Sequence, residues 1–393
     1  MTNSVAMNGG DAAILHGLDT ILRDALGPGL DLSVHDDAPS GAARVVPFDV
    51  RPQLQSVARR ARLRLPRRRP RVDTPGGHAL LERYASADLV VSSGGTYLTD
   101  TYDLTPRIRE FELVNALGRP LVLFTQSIGP LWRAATRRAL RRTISRARLV
   151  LVRDERSRDE LHAAGVNGPP TALAADAAFS LAGPDVLAAA GEPRPPAEQP
   201  RVAVSVRAWT HFPDGDGELR FERYLEAMAG LARHLVERRG ARVTFVSTCQ
   251  GVPEYPHDDS VVADAIATRL PGSVLGHVCV DREHRDPRAL IACLGGFDLV
   301  VATRMHAAIL GWAGGTPVLP IAYERKTADL AETLGIAEFA HDMGRASTRA
   351  LCATADELLA EPPALRPALF GAVERQRASA LASGELVRQA LAA

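Results

Sequence analysis

Lysine is almost absent from this sequence of 393 residues: of its 47 basic residues only Lys326 is a lysine, and the rest are arginines. The 46 acidic residues reduce the formal net charge to +1, which excludes a generally basic nucleic-acid-binding protein. Because arginine replaces lysine everywhere else, the segment that keeps Lys326 is the first place to look for a functional requirement.

Long apolar runs and paired cysteines are also missing. No segment reaches the roughly 18 uninterrupted apolar residues of a membrane-spanning helix, and the first residues lack the basic-then-apolar pattern of a secretion signal. The four cysteines lie too far apart for a paired metal motif, and no histidine or carboxylate cluster has ligand spacing. We therefore expect a cytoplasmic protein with reduced thiols and no metal site.

The apolar residues form short runs rich in valine, leucine and isoleucine, separated by longer helical patterns. This alternation predicts parallel sheets built from βαβ units. A chain of this length, with 46 % apolar and 24 % charged residues, is typical of a soluble protein of two domains. The predicted strands are 44–48, 88–92, 120–124, 149–152, 202–206, 242–247, 273–278, 298–302 and 317–321.

The strands fall into two groups, separated by residues 184–200, which are rich in proline, glycine and alanine and which we interpret as a linker. Residues 1–183 would form an N-terminal Rossmann-like domain and 201–370 a C-terminal one. We expect 371–393 to form a helix that packs back on the N-terminal domain. The predicted fold class is α/β, with two doubly wound domains facing each other across a cleft. The oligomeric state is not predicted.

In the C-terminal half, cations follow two neighbouring predicted strands. Thr303 has the position of a helix N-cap, which would place Arg304 and His306 in the first turn, where free N–H groups and the helix dipole favour an anion. Arg304 adds a donor fork for carboxylate or phosphate, and Lys326 adds a compact charge one strand away. The pattern predicts a pocket for a small dianion or trianion; the alternative is a set of solvated surface contacts.

Polar residues and glycines occupy the corresponding strand ends elsewhere. Glycines admit a ligand close to the backbone, and carboxylates accept hydrogen bonds from hydroxyl groups. Each position also has an ordinary interpretation as a turn, a cap or a surface ion pair. The residues selected are Asn8, Asp11, Gly94, Gly95, Asp100, Asp103, Gln126, Arg153 and, after a C-terminal strand, Arg207.

The strongest local charge feature is the run Arg59–Arg71, which two prolines interrupt and which contains no aromatic residue. We interpret it as a solvated loop in preference to a contact with an acidic glycan or membrane, which would make the protein peripheral to the inner face of the membrane. Nucleic acid is the least favoured partner.

In order and spacing, several motifs resemble those of the polysaccharide pyruvyl transferases, from Asn8 to about Gly335. No single motif is specific to that family. The motifs are Asn8-Gly-Gly-Asp11-Ala, Gly94-Gly95, Gln126-Ser-Ile-Gly-Pro130, Arg153-Asp154-Glu155, Asp176-Ala-Ala-Phe-Ser-Leu, Thr303-Arg-Met-His306 and Tyr323-Glu-Arg-Lys326.

The resemblance implies a GT-B-like fold and transfer of pyruvate from phosphoenolpyruvate to two hydroxyls of a sugar, forming a cyclic ketal without a cofactor. It implies that Arg153, Arg304, His306 and Lys326 serve the phosphoenolpyruvate site, with Arg207 a weaker candidate. We expect His306 to be the acid or base, because imidazole exchanges protons near neutral pH. Two rivals stay open: a glycosyltransferase that uses a nucleotide sugar, and a catalytically silent saccharide-binding protein.

One departure from the family concerns the start of the sequence. The glycine turn at Asn8 normally follows a first β-strand, yet only seven, barely apolar residues precede it here. Either the start lies upstream or the N-terminal sheet lacks a strand. The identity of the sugar acceptor is not predicted.

Overall fold

The computed structural model describes residues 1, 5–54, 75–212, 215–250, 255 and 257–392, so the run Arg59–Arg71 lies outside the described residues. The chain divides into two compact units. Unit 1 contains Met1–Ala6, Ile14–Ser180 and Ala378–Ala393, and unit 2 contains Met7–Ala13 and Leu181–Arg377. The glycine turn at Asn8 thus groups with unit 2, although the sequence assigned it to the N-terminal half.

Unit 1 contains two parallel sheets. The strands are β1 (Ser33–Asp36), β2 (Asp49–Pro52), β3 (Val90–Ser92), β4 (Gly95–Leu98), β5 (Leu121–Ile128), β6 (Leu149–Val152) and β7 (Thr171–Leu173). β1 pairs with β2, while the larger sheet has the order β3-β5-β6-β7, with β4 also pairing with β5. Every residue of β5 and β6 is buried, as expected for central strands covered on both faces.

Helices cover the sheets of unit 1 and complete its core. They are α1 (Gly9–Leu26, which begins in unit 2), α2 (Pro39–Ala42), α3 (Pro75–Ser86), α4 (Thr105–Ala116), α5 (Ala134–Ile144) and α6 (Glu155–Ala163). The apolar sides of α4, α5 and α6 join the strand residues in one core, to which Phe111, Leu140 and Leu161 contribute fully buried side chains.

Unit 2 contains one parallel sheet of six strands. These are β8 (Arg201–Ser205), β9 (Arg242–Val246), β10 (Val278–Asp281), β11 (Leu299–Ala302), β12 (Val318–Ala322) and β13 (His341–Asp342). Their order is β10-β9-β8-β11-β12-β13, in which the chain winds outward from β8 on one side and from β11 on the other. This is the strand order of a Rossmann sheet, and it reverses between β8 and β11.

Nine helices of unit 2 lie within the described residues. They are α7 (Pro184–Gly191), α8 (Gly217–Arg239), α9 (Asp259–Ala267), α10 (Gly272–Leu275), α11 (Pro287–Leu294), α12 (Met305–Ala313), α13 (Arg325–Thr333), α14 (Thr348–Leu359) and α15 (Leu365–Ala392, which ends in unit 1). The small-residue helix α12 is almost wholly buried and carries Trp312 into the core. None of the described helices is both long and apolar enough to cross a bilayer.

The predicted α/β class with parallel sheets is confirmed, and most predicted strands agree with the structure to within a few residues at each end. Two predicted strands are wrong. Residues 44–48 form turns in which the amides of Val45 and Val46 donate to the Ala42 carbonyl, and Pro47 removes a donor that a strand would need. Residues 272–275 form α10, because Pro271 starts a helical turn, and β10 begins only at Val278.

Other differences concern short or polar elements. Strands β1, β2, β4, β7 and β13 were not predicted, because each has four residues or fewer and includes polar residues or glycine instead of an apolar run. Residues 184–191 of the predicted linker form α7, since Pro184 stands in the first turn, where its missing N–H costs nothing.

The backbone of Met1 lies beside β1. Its amino group donates to the Ser33 carbonyl (2.6 Å), and its carbonyl accepts from the His35 amide (2.8 Å). This pair of bonds is the pattern of a parallel bridge. Met1 therefore pairs with the backbone of β1 as a residue of a neighbouring parallel strand would.

Candidate functional site

The edge of the unit 2 sheet at the point of strand reversal collects four cationic or titratable side chains. β11 pairs in register with β8 on one side and β12 on the other, so the three strands end together. Arg207 follows β8, Arg304 and His306 follow β11, and Lys326 follows β12. Ligands of open α/β sheets bind at this reversal, outside the carboxyl ends of the strands.

Arg304 is held by a buried carboxylate that the sequence analysis missed. Its Nε and Nη2 atoms donate to Asp259 at 2.6 to 2.9 Å, and the two side chains are 11 % and 2 % exposed. Asp259 also accepts from the amide and hydroxyl of Thr248 and from the amide of Cys249. The guanidinium plane is thereby fixed, and Nη1 takes no part in this pairing.

Thr303 does not cap α12, so that prediction is wrong. Its hydroxyl instead pairs with the hydroxyl of the buried Tyr224 (2.7 Å), and its amide donates to Ser205 in β8. A buried phenol needs a hydrogen-bond partner, and the Thr303 hydroxyl is that partner for Tyr224. Arg304 takes the N-cap position in an extended conformation without a side-chain cap, which leaves His306 in the first turn.

The first turn of α1 packs directly on His306. A Cβ atom added to Gly10 would lie 2.4 Å from His306 Nδ1, and one added to Gly9 would lie 2.5 Å from the Thr248 carbonyl oxygen. Only glycine permits both approaches. The Gly10 amide also donates to Asn8 Oδ1 (3.0 Å), so the predicted glycine turn exists and stands against the histidine.

Cys249 lies under the same turn, where burial disfavours the thiolate. Its thiol contacts Asn8 Oδ1 (3.6 Å), and burial raises the pKa of Cys249 to about 11. The negative charge of Asp11 also acts on this thiol. Asp11 therefore lies in the same unit as the cations, whereas the other carboxylates predicted to contact the sugar, Asp100 and Asp103, lie in unit 1.

Two aromatic rings hold Arg207. Its guanidinium carbon lies 4.0 Å from the ring centre of Tyr323 and 4.9 Å from that of Trp209, and the rings are 4.8 Å apart. Lys326 lies 5.5 Å from the Tyr323 ring centre and pairs with Glu324 (2.7 Å). Stacking fixes a guanidinium and leaves its donors in the plane. Trp209 was not predicted to belong to the site. Its position two residues after an arginine at a strand end could have indicated it.

A second imidazole lies within electrostatic reach of these cations. Burial lowers the pKa of His257, and the positive charges of Arg304 and Arg207 lower it further. Both effects favour the neutral form of the imidazole. Nothing in the sequence pattern distinguished it from a loop histidine.

Arg153 belongs to unit 1 and has three protein partners there. It forms a buried ion pair with Asp176, and it donates to the hydroxyls of Ser127 (3.1 Å) and Thr96 (3.4 Å). It thus joins the ends of β6, β5 and β4. Its side chain is 9 % exposed, so these contacts fix the orientation of its guanidinium group.

Gln126 and the two glycines make contacts within the unit 1 sheet. Gln126 donates to the carbonyl of Ser93 (2.5 Å) and follows a bulge in β5 where Thr125 has a positive φ of 41°. A Cβ atom on Gly94 would lie 2.7 Å from the Thr125 hydroxyl, so protein neighbours already require this glycine. Gly95 has a φ of 140°, which favours glycine on its own.

Asp100 holds the start of α5. Its two carboxylate oxygens accept from the Arg133 amide and the Thr136 hydroxyl, both at 2.6 Å, and the residue is 2 % exposed. Asp103 accepts from the Thr105 amide at the start of α4. These bonds commit both carboxylates to local structure.

No group of three or more histidine, cysteine, aspartate or glutamate side chains within the described residues is arranged to hold a metal ion.

Comparison with known families decides the affiliation. The family model of polysaccharide pyruvyl transferases matches residues 8–325. The chain belongs to this family. It is also similar to the amylovoran biosynthesis protein AmsJ of Erwinia amylovora, with 27 % identity over 296 residues that cover 74 % of this chain and 70 % of AmsJ. The chain is thus a polysaccharide-modifying transferase, as the resemblance implied at this level.

Solved structures of low sequence identity share the GT-B-like fold. HepE of Anabaena in complex with UDP-glucose has a TM-score of 0.58 at 14 % identity, covering 99 % of this chain and 97 % of HepE. A Listeria monocytogenes protein described as a UDP-N-acetylglucosamine 2-epimerase has a TM-score of 0.56 at 12 % identity. The match covers 97 % of this chain and 92 % of the Listeria protein. Such identities show the fold alone, and the expected GT-B-like fold is confirmed.

Proposed function

We propose that the protein transfers pyruvate from phosphoenolpyruvate to two hydroxyls of a saccharide, forming a cyclic ketal and releasing phosphate. The observation that carries this proposal is the group of Arg207, Arg304, His306 and Lys326 at the strand reversal of unit 2. Phosphoenolpyruvate bears a carboxylate and a phosphate on three carbons and needs several cations at fixed positions. No cofactor is required beyond this donor.

The cations are preorganised in ways that suit such a donor. Asp259 fixes Arg304 through Nε and Nη2, so Nη1 would face the ligand. The adjacent rings of Trp209 and Tyr323 both pack against the Arg207 guanidinium group. The start of α12 adds N–H groups without a side-chain cap. Preorganised donors stabilise developing charge without reorganisation during the reaction.

The proposed reaction has two steps. A proton adds to the methylene carbon of phosphoenolpyruvate, positive charge develops on the central carbon, and a sugar hydroxyl attacks that carbon and loses its proton. The bond from the central carbon to the phosphate oxygen then breaks, and a second hydroxyl attacks and loses its proton. We assign His306 as the acid or base and Asp11 to orient or deprotonate the sugar. The arginines and Lys326 hold the carboxylate and the leaving phosphate.

Within unit 1, Asp176, Ser127 and Thr96 set the orientation of Arg153, the arginine that the family resemblance also implies for donor binding. A polysaccharide or its precursor is the proposed acceptor. The similarity to AmsJ, which is named for amylovoran biosynthesis, supports this acceptor class.

Ligand protection against heat tests the donor. At a concentration about 100 times Kd, a ligand that binds only the folded state stabilises it by about 2.7 kcal/mol. We expect phosphoenolpyruvate to raise Tm and UDP-glucose to leave it unchanged. The shift should shrink in Lys326→Ala and persist in Arg238→Ala, an exposed arginine of α8. Protection by UDP-glucose alone would favour the glycosyltransferase, and protection by phosphoenolpyruvate without phosphate release from any saccharide would favour a silent binding protein.

A further inference from the structure

Besides the run Arg59–Arg71, a second segment of unit 1 is rich in arginine. Residues 113–153 contain nine arginines and no aspartate or glutamate, whereas the whole chain has a net charge of only +1. Protein surfaces ordinarily mix charges of both signs, so a stretch of this length without a single acid is a strong local asymmetry.

Helix α5 presents this charge on its solvent side. Its opposite side is buried against the unit 1 core through Thr136, Leu140, Thr143 and Ile144. The exposed arginines of this helix and of the residues that flank it are Arg133, Arg138, Arg141, Arg142, Arg146 and Arg148, which we call the basic face.

Few acids oppose the basic face. Helix α4 packs beside α5, and its Glu112 pairs with Arg142, whose side chain stays 63 % exposed. Asp103 lies near Arg133 and also near Arg109, a further exposed arginine on α4. Among the described residues, these two carboxylates lie beside six arginines of the basic face, which therefore keeps a net positive charge.

Two large aromatic side chains stand next to the basic face. Trp132 is 54 % exposed, beside Arg133 at 5.9 Å, and Tyr102 is 49 % exposed. Their loops are tied together, because the Asp100 amide donates to Pro130 (3.1 Å) and the Asp100 carboxylate accepts from the Arg133 amide (2.6 Å). An exposed tryptophan on a fixed loop has no role in the core of unit 1.

We propose that the basic face, with Trp132 and Tyr102, docks the protein on a membrane surface that contains anionic phospholipid. Arginines attract the phosphates of such a surface, and each contributes about a fivefold gain in binding near it. Tryptophan and tyrosine partition into the interface between headgroups and acyl chains. The proposal involves neither the run Arg59–Arg71 nor the donor site.

Sedimentation with vesicles tests this docking. The full-length protein is mixed with vesicles of phosphatidylcholine, or of phosphatidylcholine with about 30 % phosphatidylglycerol, at low and high salt. The variant Arg138→Glu/Arg142→Glu reverses two charges of the basic face. The control Arg233→Glu/Arg238→Glu makes the same charge change on exposed positions of α8 in unit 2. Trp132→Ala tests the aromatic contribution without changing charge.

We expect binding to the anionic vesicles only, release at high salt, and at least a roughly 30-fold loss of binding in the basic-face variant. The control should bind like the wild type, and Trp132→Ala should bind more weakly even at low salt. Equal binding to both vesicle types, equal losses in the two charge variants, or binding only to an added acidic polysaccharide would overturn the proposal. If the basic-face variant fails to fold, the wild-type salt dependence and Trp132→Ala decide.

Discussion

The contact between Gly10 and His306 offers a way to disturb the proposed catalytic histidine without replacing it. In Gly10→Ala the new Cβ atom would lie 2.4 Å from His306 Nδ1 and 2.9 Å from Cγ. An ordinary contact of this kind is at least about 3.4 Å, so the ring or the first turn of α1 must move by about 1 Å. Overpacking of this kind costs about 1–3 kcal/mol, partly offset by the helix preference of alanine, up to about 1 kcal/mol.

The effect on catalysis should exceed the effect on stability. A displacement of about 1 Å at a catalytic group can cost about 100-fold in rate. We therefore expect Gly10→Ala to lower kcat for acceptor-dependent phosphate release by about 100-fold, with a modest fall in Tm. Gly191→Ala, at the end of α7, is the control, because its Cβ atom would meet nothing within 4 Å. It should stay within about twofold of wild type.

A comparison with Gly9→Ala separates catalysis from packing. This substitution overpacks the same turn, but against the Thr248 carbonyl instead of the histidine ring. The two variants should lose similar stability. If Gly10→Ala kept activity within about threefold of wild type while folded, or if it lost no more than Gly9→Ala at equal Tm, the assignment of His306 would be refuted.

Three further predictions concern the donor cations and acid stability. Lys326→Arg should lower kcat/KM for phosphoenolpyruvate by more than about tenfold with unchanged Tm, because a planar guanidinium cannot replace a compact ammonium. Trp209→Leu should raise KM for phosphoenolpyruvate about tenfold and change kcat less, because Arg207 loses one of its two rings. Burial lowers the pKa of His35 from 6.5 to about 4, so between these pH values the unfolded state binds a proton that the folded state does not. The free energy of unfolding should therefore be highest above pH 6.5, fall by about 3 kcal/mol as the pH drops toward 4, and change no further below pH 4.

Steady-state kinetics and acid titrations check these outcomes. Retention of more than half of kcat/KM in Lys326→Arg would mean that charge alone matters there. An unchanged KM in Trp209→Leu would mean that the ring does not position Arg207. His35→Gln should flatten the loss of unfolding free energy between pH 6.5 and 4, whereas the exposed His277→Gln should not; equal slopes would contradict the assignment to His35.

The sequence predicted that the cations of the C-terminal half lie at one sheet edge, because their positions follow from strand ends. Short apolar runs mark buried parallel strands, and the residues after them must meet at one sheet edge, which brought Arg304 and Lys326 together. The partners of these cations could not be read in the same way. Asp259 lies 45 residues from Arg304, and Tyr323 meets Arg207 only through folding, so no local period signals either contact.

Sequence position alone does not decide between two roles of one residue type. Thr303 had the sequence position of a cap, but its hydroxyl pairs with the buried Tyr224 hydroxyl. Asp100 was predicted to contact a ligand, which stays a prediction, and in the structure it holds the start of α5. The glycines at 94 and 95 follow a strand as expected, but their protein neighbours already explain them. Packing and polar satisfaction are three-dimensional constraints, and they decide between such alternatives.

A crystal structure of the protein soaked with phosphoenolpyruvate would show whether the donor binds to the cations of unit 2. We expect one molecule at the strand reversal of unit 2, with its carboxylate or phosphate bonded to Arg304 Nη1, Arg207 and Lys326 and with its methylene carbon within reach of His306. Clear density for phosphoenolpyruvate away from these residues, or density there for a nucleotide sugar but not for phosphoenolpyruvate, would contradict it.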